Sequence, residues 1–192
     1  MRKVLSVLGL VAGLASPALA QTDANPYAGE VRAQFNQIQD LILKSAEKIG
    51  DDLYAFKPSP DVRSMAALIG HIADGNRLLC RIADGEKVDF AALMKNLDSI
   101  RIHEKKTAKA DLIAALKESR GFCDAALAKL TDENGRAAVT FFGMTKPKLG
   151  MFAFNNSHNW EHYGNLVTYM RLKGIVPPSS ERAAPPPPPP AR

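Results

Sequence analysis

The chain has 192 residues, of which 46% are hydrophobic and 23% charged, which suits one domain with a sizeable core. Its formal net charge is +5, and without Arg2 and Lys3 it falls to +3, since 23 basic residues then face 20 acidic ones. The basic residues are dispersed and no aromatic residues interleave with them, so we expect no nucleic-acid partner. Beyond the first twenty residues no apolar run is long enough to cross a bilayer, so we expect no membrane insertion of the mature protein.

Residues 1–20 have the pattern of a secretory signal peptide. Arg2 and Lys3 form a positive segment, an apolar segment follows, and Ala18-Leu19-Ala20 offers a small-x-small cleavage site. We therefore expect an exported protein, in a bacterial periplasm, whose domain covers residues 21–178.

The domain sequence predicts four long amphipathic helices, because apolar residues recur at steps of three and four. In chain order they cover residues 26–49, 64–83, 107–130 and 149–173. Asn25 and Pro26 are typical of a helix start, and Gly174 before Pro177-Pro178 is typical of a helix end. A short helix is predicted over residues 90–97.

Residues 131–148 lack helical periodicity, and within them residues 139–142 either pair briefly as a strand or cap the helices. The fold class is therefore all-α: a four-helix bundle with a short accessory helix and a long loop before the last helix. Residues 179–192 contain a run of six prolines, which predicts a solvated, disordered tail.

Cys80 and Cys123 are the two cysteines of the chain. Export would place them where a disulfide persists, and a disulfide between two helices is one interpretation. Two buried free thiols are the alternative, because geometry decides between them and the sequence does not supply it.

His158 and His162 lie four residues apart in the last predicted helix, so their side chains share one face. Two imidazoles in this arrangement can bind one metal ion through neutral ring nitrogens. The alternative is that both are polar residues on a solvated helix face. The same segment also reads H-x-x-E-H, an inverted zinc-peptidase signature, but the only acidic residue downstream is Glu181, so we rank a peptidase below other functions.

His71 lies in the middle of the second predicted helix, on its apolar face and flanked by Gly70 and Gly75. A buried histidine needs a polar partner, and in a bundle the second and fourth helices can face one another. His71 is therefore the candidate third ligand, with a core histidine bonded to a neighbouring side chain as the alternative. Three imidazoles leave a coordination position open, as a catalytic site requires. His103, in a charged linker, is not assigned to the site.

Four further side chains are candidates around these histidines. Glu161 lies about 60° from His158 around the helix and is either a base or a solvated carboxylate. Asn155 and Asn165 either orient a ligand or substrate or make plain interhelical hydrogen bonds. Asp74, one turn after the candidate third ligand, is the carboxylate that could hold its imidazole tautomer.

The order of these features resembles the DinB/YfiT-like family of metalloenzymes. His71 in mid-helix looks like the family's first ligand, and the late His-x-x-x-His followed by residues 163–165 and 168–174 looks like its last helix. Family members often have Arg-Gly-Gln where this chain has Tyr163-Gly164-Asn165, a difference that leaves the histidines intact. The resemblance covers residues 27–178.

This resemblance implies a four-helix bundle in which His71, His158 and His162 bind a divalent metal ion such as Zn²⁺ or Ni²⁺. Known relatives in the family include thiol-dependent transferases and a mycothiol-dependent isomerase. We expect a metal-dependent enzyme that acts by hydrolysis or by activating a thiol or water nucleophile on an unidentified small molecule. The alternative is a non-catalytic metal- or small-ligand-binding protein of the cell envelope, and a homodimer is left open.

Overall fold

The structure is a computed structural model that describes residues 24–181. The predicted signal peptide and the six-proline run lie outside the described residues.

Five helices form the described chain, together with one hairpin and four short 3₁₀ turns. The helices are α1 (Pro26–Lys48), α2 (Met65–Asp84), α3 (Phe90–Lys95), α4 (Lys109–Ala128) and α5 (Lys148–Leu172). The predicted bundle of four long helices with a short accessory helix is confirmed, and each long helix begins and ends within two residues of its prediction.

Capping explains where two of these helices begin. The Ser64 hydroxyl accepts a hydrogen bond from the Ala67 amide at 3.1 Å, which makes Ser64 the N-cap of α2. At the start of α1 the Asp132 carboxylate accepts from the amides of Tyr27 and Ala28. The side chain of Asn25, predicted to cap α1, instead accepts from the backbone of Asp132.

The long loop before α5 contains an antiparallel hairpin of β1 (Ala138–Phe141) and β2 (Met144–Pro147). The strand interpretation of residues 139–142 is thus confirmed for residues 139–141. Phe142 and Gly143 form the turn, with φ values of +48° and +74°. The hairpin lies against α2 and α5 and closes one end of the site described below.

Two apolar clusters fill the bundle, and on α2 and α5 a layer of buried amides separates them along the sequence. The first cluster includes Ile38, Ile69, Leu112, Leu166 and Met170, and the second includes Phe35, Leu79, Leu127, Met151 and Phe152. In the amide layer Asn76 donates to Gln39, and its side-chain oxygen accepts from Asn155 and Asn159 at 3.1 and 2.9 Å. These bonds join α1, α2 and α5 next to His158.

Cys80 and Cys123 form a disulfide that joins α2 to α4, with their Cα atoms 5.4 Å apart. This decides between the two alternatives left open by the sequence. The bridge sits next to the amide layer, since the Asn155 amide nitrogen lies 3.4 Å from the sulfur of Cys80.

After α5 the chain turns at Gly174, whose φ is +71°. The Ser179 amide donates to the Tyr163 hydroxyl at 3.2 Å, and Glu181 pairs with Lys48 at 2.5 Å. The first three residues of the predicted tail therefore lie against the bundle. Among the described residues, no helix has the length and apolarity needed to cross a membrane.

Candidate metal centre

His71 of α2 and the His158–His162 pair of α5 converge on one point. The Nε2 atom of His158 lies 3.3 Å from that of His71 and 3.1 Å from that of His162. Three nitrogens at bond lengths of 2.0–2.1 Å from one tetrahedral ion would be separated by about 3.3 Å. Two of the three nitrogen pairs have this spacing and one ring nitrogen of each histidine lies within 4.8 Å of the others, although their role as ligands stays a prediction.

Two glycines of α2 make room for other parts of the site. A Cβ atom at Gly75 would lie 2.6 Å from Cε1 of His158, so only glycine leaves room for that ring. A Cβ atom at Gly70 would lie 2.1 Å from the carbonyl oxygen of His103, so Gly70 admits a backbone segment instead. The glycines on either side of His71 thus make room for different parts of the site.

Burial holds the three imidazoles neutral. Burial first, and then the positive charge of Arg63 and the neighbouring rings, together lower the pKa of His71, His158 and His162 to about 4 each. Histidine binds a metal ion through an uncharged ring, and here three such rings bring their Nε2 atoms together.

The outer nitrogens of two rings face polar side chains. Nδ1 of His71 lies 3.4 Å from Oε2 of Glu104, and Nδ1 of His162 lies 3.5 Å from the Asn165 amide. Both distances are long for a hydrogen bond, and the amide can be turned so that its oxygen accepts from the ring. Asn165 therefore lies where a ligand-orienting residue would be, as one of its two interpretations required.

Asp74 does not contact His71, which corrects its predicted role. Its carboxylate accepts from the backbone amides of His103 and Glu104 and pairs with Nδ1 of His103 at 2.6 Å. The side chain points along α2 towards the linker before α4, and the carboxylate beside His71 is Glu104. Asp74 thus acts one step away, by fixing the linker that carries Glu104.

Glu104 is the residue of the site that the sequence analysis missed. Its Oε1 accepts from Nε of Arg63 at 2.7 Å, and Arg101 lies 3.6 Å from Oε2. Burial acts to raise the pKa of Glu104, but the hydrogen bond and charge of Arg63 outweigh it and hold the pKa below its usual value. Glu104 is therefore ionised at neutral pH.

The remaining candidates lie away from the ring nitrogens. Asn155 is buried in the amide layer, in agreement with its interhelical hydrogen-bond interpretation. Glu161 is exposed, and its side chain makes no ion pair or hydrogen bond within residues 24–181. Because Glu161 points to solvent and Glu181 pairs with Lys48, the geometry does not support the inverted zinc-peptidase interpretation.

Two cavities of different polarity adjoin the histidines. A polar cavity of about 690 Å³ is lined by His162, Asn165, Glu104, Arg63, Lys57 and Tyr169, among others. An apolar cavity of about 360 Å³ is lined by His71, His158, Leu78, Met94, Phe142 and Phe154, among others. The three histidines therefore lie where a polar and an apolar cavity meet.

Comparison with known proteins gives the family. The DinB superfamily matches residues 34–166, which is most of the described chain. The chain belongs to the DinB superfamily. A search of curated proteins finds none that matches.

Solved structures share this fold. The DinB-like protein YjoA from Bacillus subtilis is 24% identical, with a TM-score of 0.62 over 80% of this chain and 99% of its own. The mycothiol-dependent maleylpyruvate isomerase is 14% identical, with a TM-score of 0.62 over 72% of this chain and 60% of its own. At these identities, the DinB-like fold is what the structures have in common with this chain.

A third solved structure corrects the expectation about nucleic acid. The colibactin self-resistance protein ClbS is 21% identical, with a TM-score of 0.58 over 78% of this chain and 98% of its own, and it is solved in complex with double-stranded DNA. A DinB-like fold is thus compatible with a nucleic-acid partner. The expectation of no nucleic-acid partner, drawn from the small net charge and the dispersed basic residues, was wrong.

Proposed function

We propose that this DinB superfamily member is an exported metal-dependent enzyme, a hydrolase or a transferase that activates a water or thiol nucleophile. The observation that carries the proposal is the convergence of three Nε2 atoms at 3.1 and 3.3 Å on neutral rings. Because two cavities adjoin the rings, a small molecule has access to them.

His71, His158 and His162 would hold the ion. A divalent ion in that position supplies Lewis acidity, which polarises a carbonyl and lowers the pKa of a water or thiol. Glu104 and Asn165 would fix the ring orientations from outside, as carboxylates and amides do around metal-binding histidines.

The polar cavity supplies the groups for proton transfer and substrate binding. Glu104 lines the cavity beside His162, and its buried Oε2 lies 3.4 Å from Nδ1 of His71 and 3.6 Å from Nε of Arg101 without making a hydrogen bond to any described residue. An ionised carboxylate in this position can accept a proton from a nucleophile, so we assign the general base to Glu104. Arg63 and Lys57 line the same cavity and would bind acidic or polar substrate groups.

Metal content and turnover together test this function. Protein purified from its native compartment should contain one divalent ion per chain by elemental analysis, and should hydrolyse a model ester or amide only with that ion bound. His162→Ala should lose both properties, whereas Ser157→Ala, an exposed position on the same helix, should keep both. Bound metal without turnover of any ester, amide or thiol substrate would make this a metal- or ligand-binding protein.

The proposed location outside the cytoplasm has its own test. The residue pattern of residues 1–20 and the Cys80–Cys123 disulfide both support export, because disulfides persist in oxidising compartments. N-terminal sequencing of the mature protein from a periplasmic fraction should begin at Gln21. Full-length protein confined to the cytoplasmic fraction would contradict export.

A further inference from the structure

The apolar cavity shares its wall with the metal centre. His71 of α2 and His158 of α5 line it, together with the hairpin residues Phe141 and Phe142 and with Phe154, which lies one turn before His158 on α5. A group bound in this cavity would therefore lie against two of the three histidine rings.

The lining is almost entirely apolar, and each of its charged side chains has a partner of opposite charge or a hydrogen bond. Its two charged side chains are Asp74 and Arg101. Asp74 is bonded to the backbone and ring of His103, and Arg101 lies 3.6 Å from Glu104. All other lining residues apart from the histidines are aliphatic, aromatic, sulfur-containing or glycine, so an uncharged hydrocarbon group is the chemistry that fits.

Phe142 is in a backbone conformation that its residue type does not favour. It has φ +48° and Gly143 has φ +74°, as in a two-residue hairpin turn in which the first position favours asparagine or glycine. Its side chain is 49% exposed, yet its ring contacts Phe90 and Phe141 with centroids 4.6 and 4.7 Å apart. The turn would form more easily without this ring, and the ring contributes to the wall of the cavity.

We infer that the apolar cavity binds an uncharged hydrocarbon part, a short alkyl chain or a single aromatic ring, of the molecule whose reacting group lies at the histidines. The inference rests on the proposed function and adds the substrate class. The volume of about 360 Å³ lies at the small end of pockets that bind small molecules. The polar cavity on the other side of the histidines would take the polar part of the same substrate.

Binding of fluorobenzene to the metal-free protein tests the cavity alone, by fluorine-19 NMR. We expect saturable binding to the wild type and an affinity about 2- to 10-fold lower in Phe142→Asn, because one aromatic contact is lost. Asparagine tolerates a positive φ, so this variant should fold with an unchanged or higher thermal midpoint. Met144→Gln removes another exposed apolar side chain from the same hairpin and should bind fluorobenzene like the wild type. No saturable binding, or equal affinity in Phe142→Asn, would overturn the inference.

A series of alkyl hydroxamic acids tests the link to the metal centre, because the hydroxamate group binds metal and the chain length varies. On zinc-loaded protein, affinity should rise about 3- to 4-fold per methylene from acetohydroxamic to hexanohydroxamic acid. Phe142→Asn should weaken this rise and leave acetohydroxamic acid unchanged. Affinity independent of chain length would overturn the inference while leaving the metal centre intact. Failure of zinc or acetohydroxamic acid to bind would instead contradict the proposed function, and the fluorobenzene result would then decide on the cavity.

Discussion

Two regions of the molecule meet at the candidate metal centre, and they are held in place differently. The three histidines lie on long helices whose packing is fixed by apolar clusters and by the amide layer around Asn76. Glu104 lies in a linker between helices, and Asp74 and Gly70 hold that linker against α2. The positions of the three histidines should therefore resist change in the linker, whereas the carboxylate beside His71 depends on a few contacts.

Among the variants considered, Gly75→Ala, which displaces a histidine carried by a helix, should have the largest effect on metal affinity. The new methyl group would lie 2.6 Å from the His158 ring, so the ring must leave its position. We expect metal affinity to fall by about 100-fold or more, measured by competition with a zinc chelator. Gly121→Ala on α4 is the matched control, because a Cβ atom there meets nothing within 4 Å. Equal zinc affinity in both variants would show that the close contact at Gly75 does not matter.

Gly70→Ala, which displaces the linker that carries Glu104, should have a smaller effect on metal affinity. Its methyl group would lie 2.1 Å from the His103 carbonyl oxygen, so the linker and Glu104 must move away from His71. Loss of an outer partner of a ligating histidine costs about 10-fold or more in metal affinity, so we expect a loss near the lower end of that range. A loss as large as that of Gly75→Ala would mean that the linker is part of the ligand set.

The pH dependence of stability tests whether the buried histidines are neutral in the folded protein. In the folded, metal-free protein the three histidines have a pKa of about 4, below the usual 6.5. The unfolded chain therefore binds more protons between pH 6.5 and 4, and stability should fall as pH falls through that window. At about 1.4 kcal/mol per pKa unit, one ring shifted from 6.5 to about 4 corresponds to roughly 3 kcal/mol, and we expect at least this loss, since the three partly exposed rings do not add in full.

Urea unfolding at pH 7 and pH 4.5 measures this loss. A variant with all three histidines changed to asparagine lacks the titrating rings and should show a smaller loss over the same range. An equal loss in the two proteins would place the titration elsewhere in the molecule.

Glu161→Gln should have the smallest effect. Glu161 is exposed and its side chain makes no hydrogen bond or ion pair with any described residue, so its charge is not used by the site. We expect unchanged zinc affinity and, once a substrate is known, unchanged turnover. A fall in turnover of about 10²–10⁴, the range for losing a general base, would restore Glu161 as the catalyst in place of Glu104.

The helices and the convergence of the histidines could be predicted, because both follow from helical periodicity and from the resemblance to DinB-like proteins. His158 and His162 share a face at a spacing of four, and His71 lies on the apolar side of a helix that had to face inward. The helix ends were marked by Ser64, Gly174 and the prolines that follow it. The role of the three histidines in binding metal stays a prediction.

Glu104 could not be predicted, because no periodicity connects a linker residue to a helix 33 positions earlier in the chain. Its place depends on Asp74 bonding two linker amides and on the absence of a side chain at Gly70. The one available signal was Asp74 itself, a buried carboxylate that had to find donors. His71 is the nearest histidine to Asp74 on its own helix, whereas the donors that Asp74 binds come from the linker.

Zinc content of the wild type and of His71→Ala tests the central claim most directly, because His71 is the one proposed ligand outside α5. After loading and exhaustive dialysis, the wild type should retain one ion per chain. His71→Ala should retain almost none, while its helical circular dichroism stays that of the wild type. If folded His71→Ala keeps its full zinc content, the three-histidine centre between α2 and α5 is contradicted.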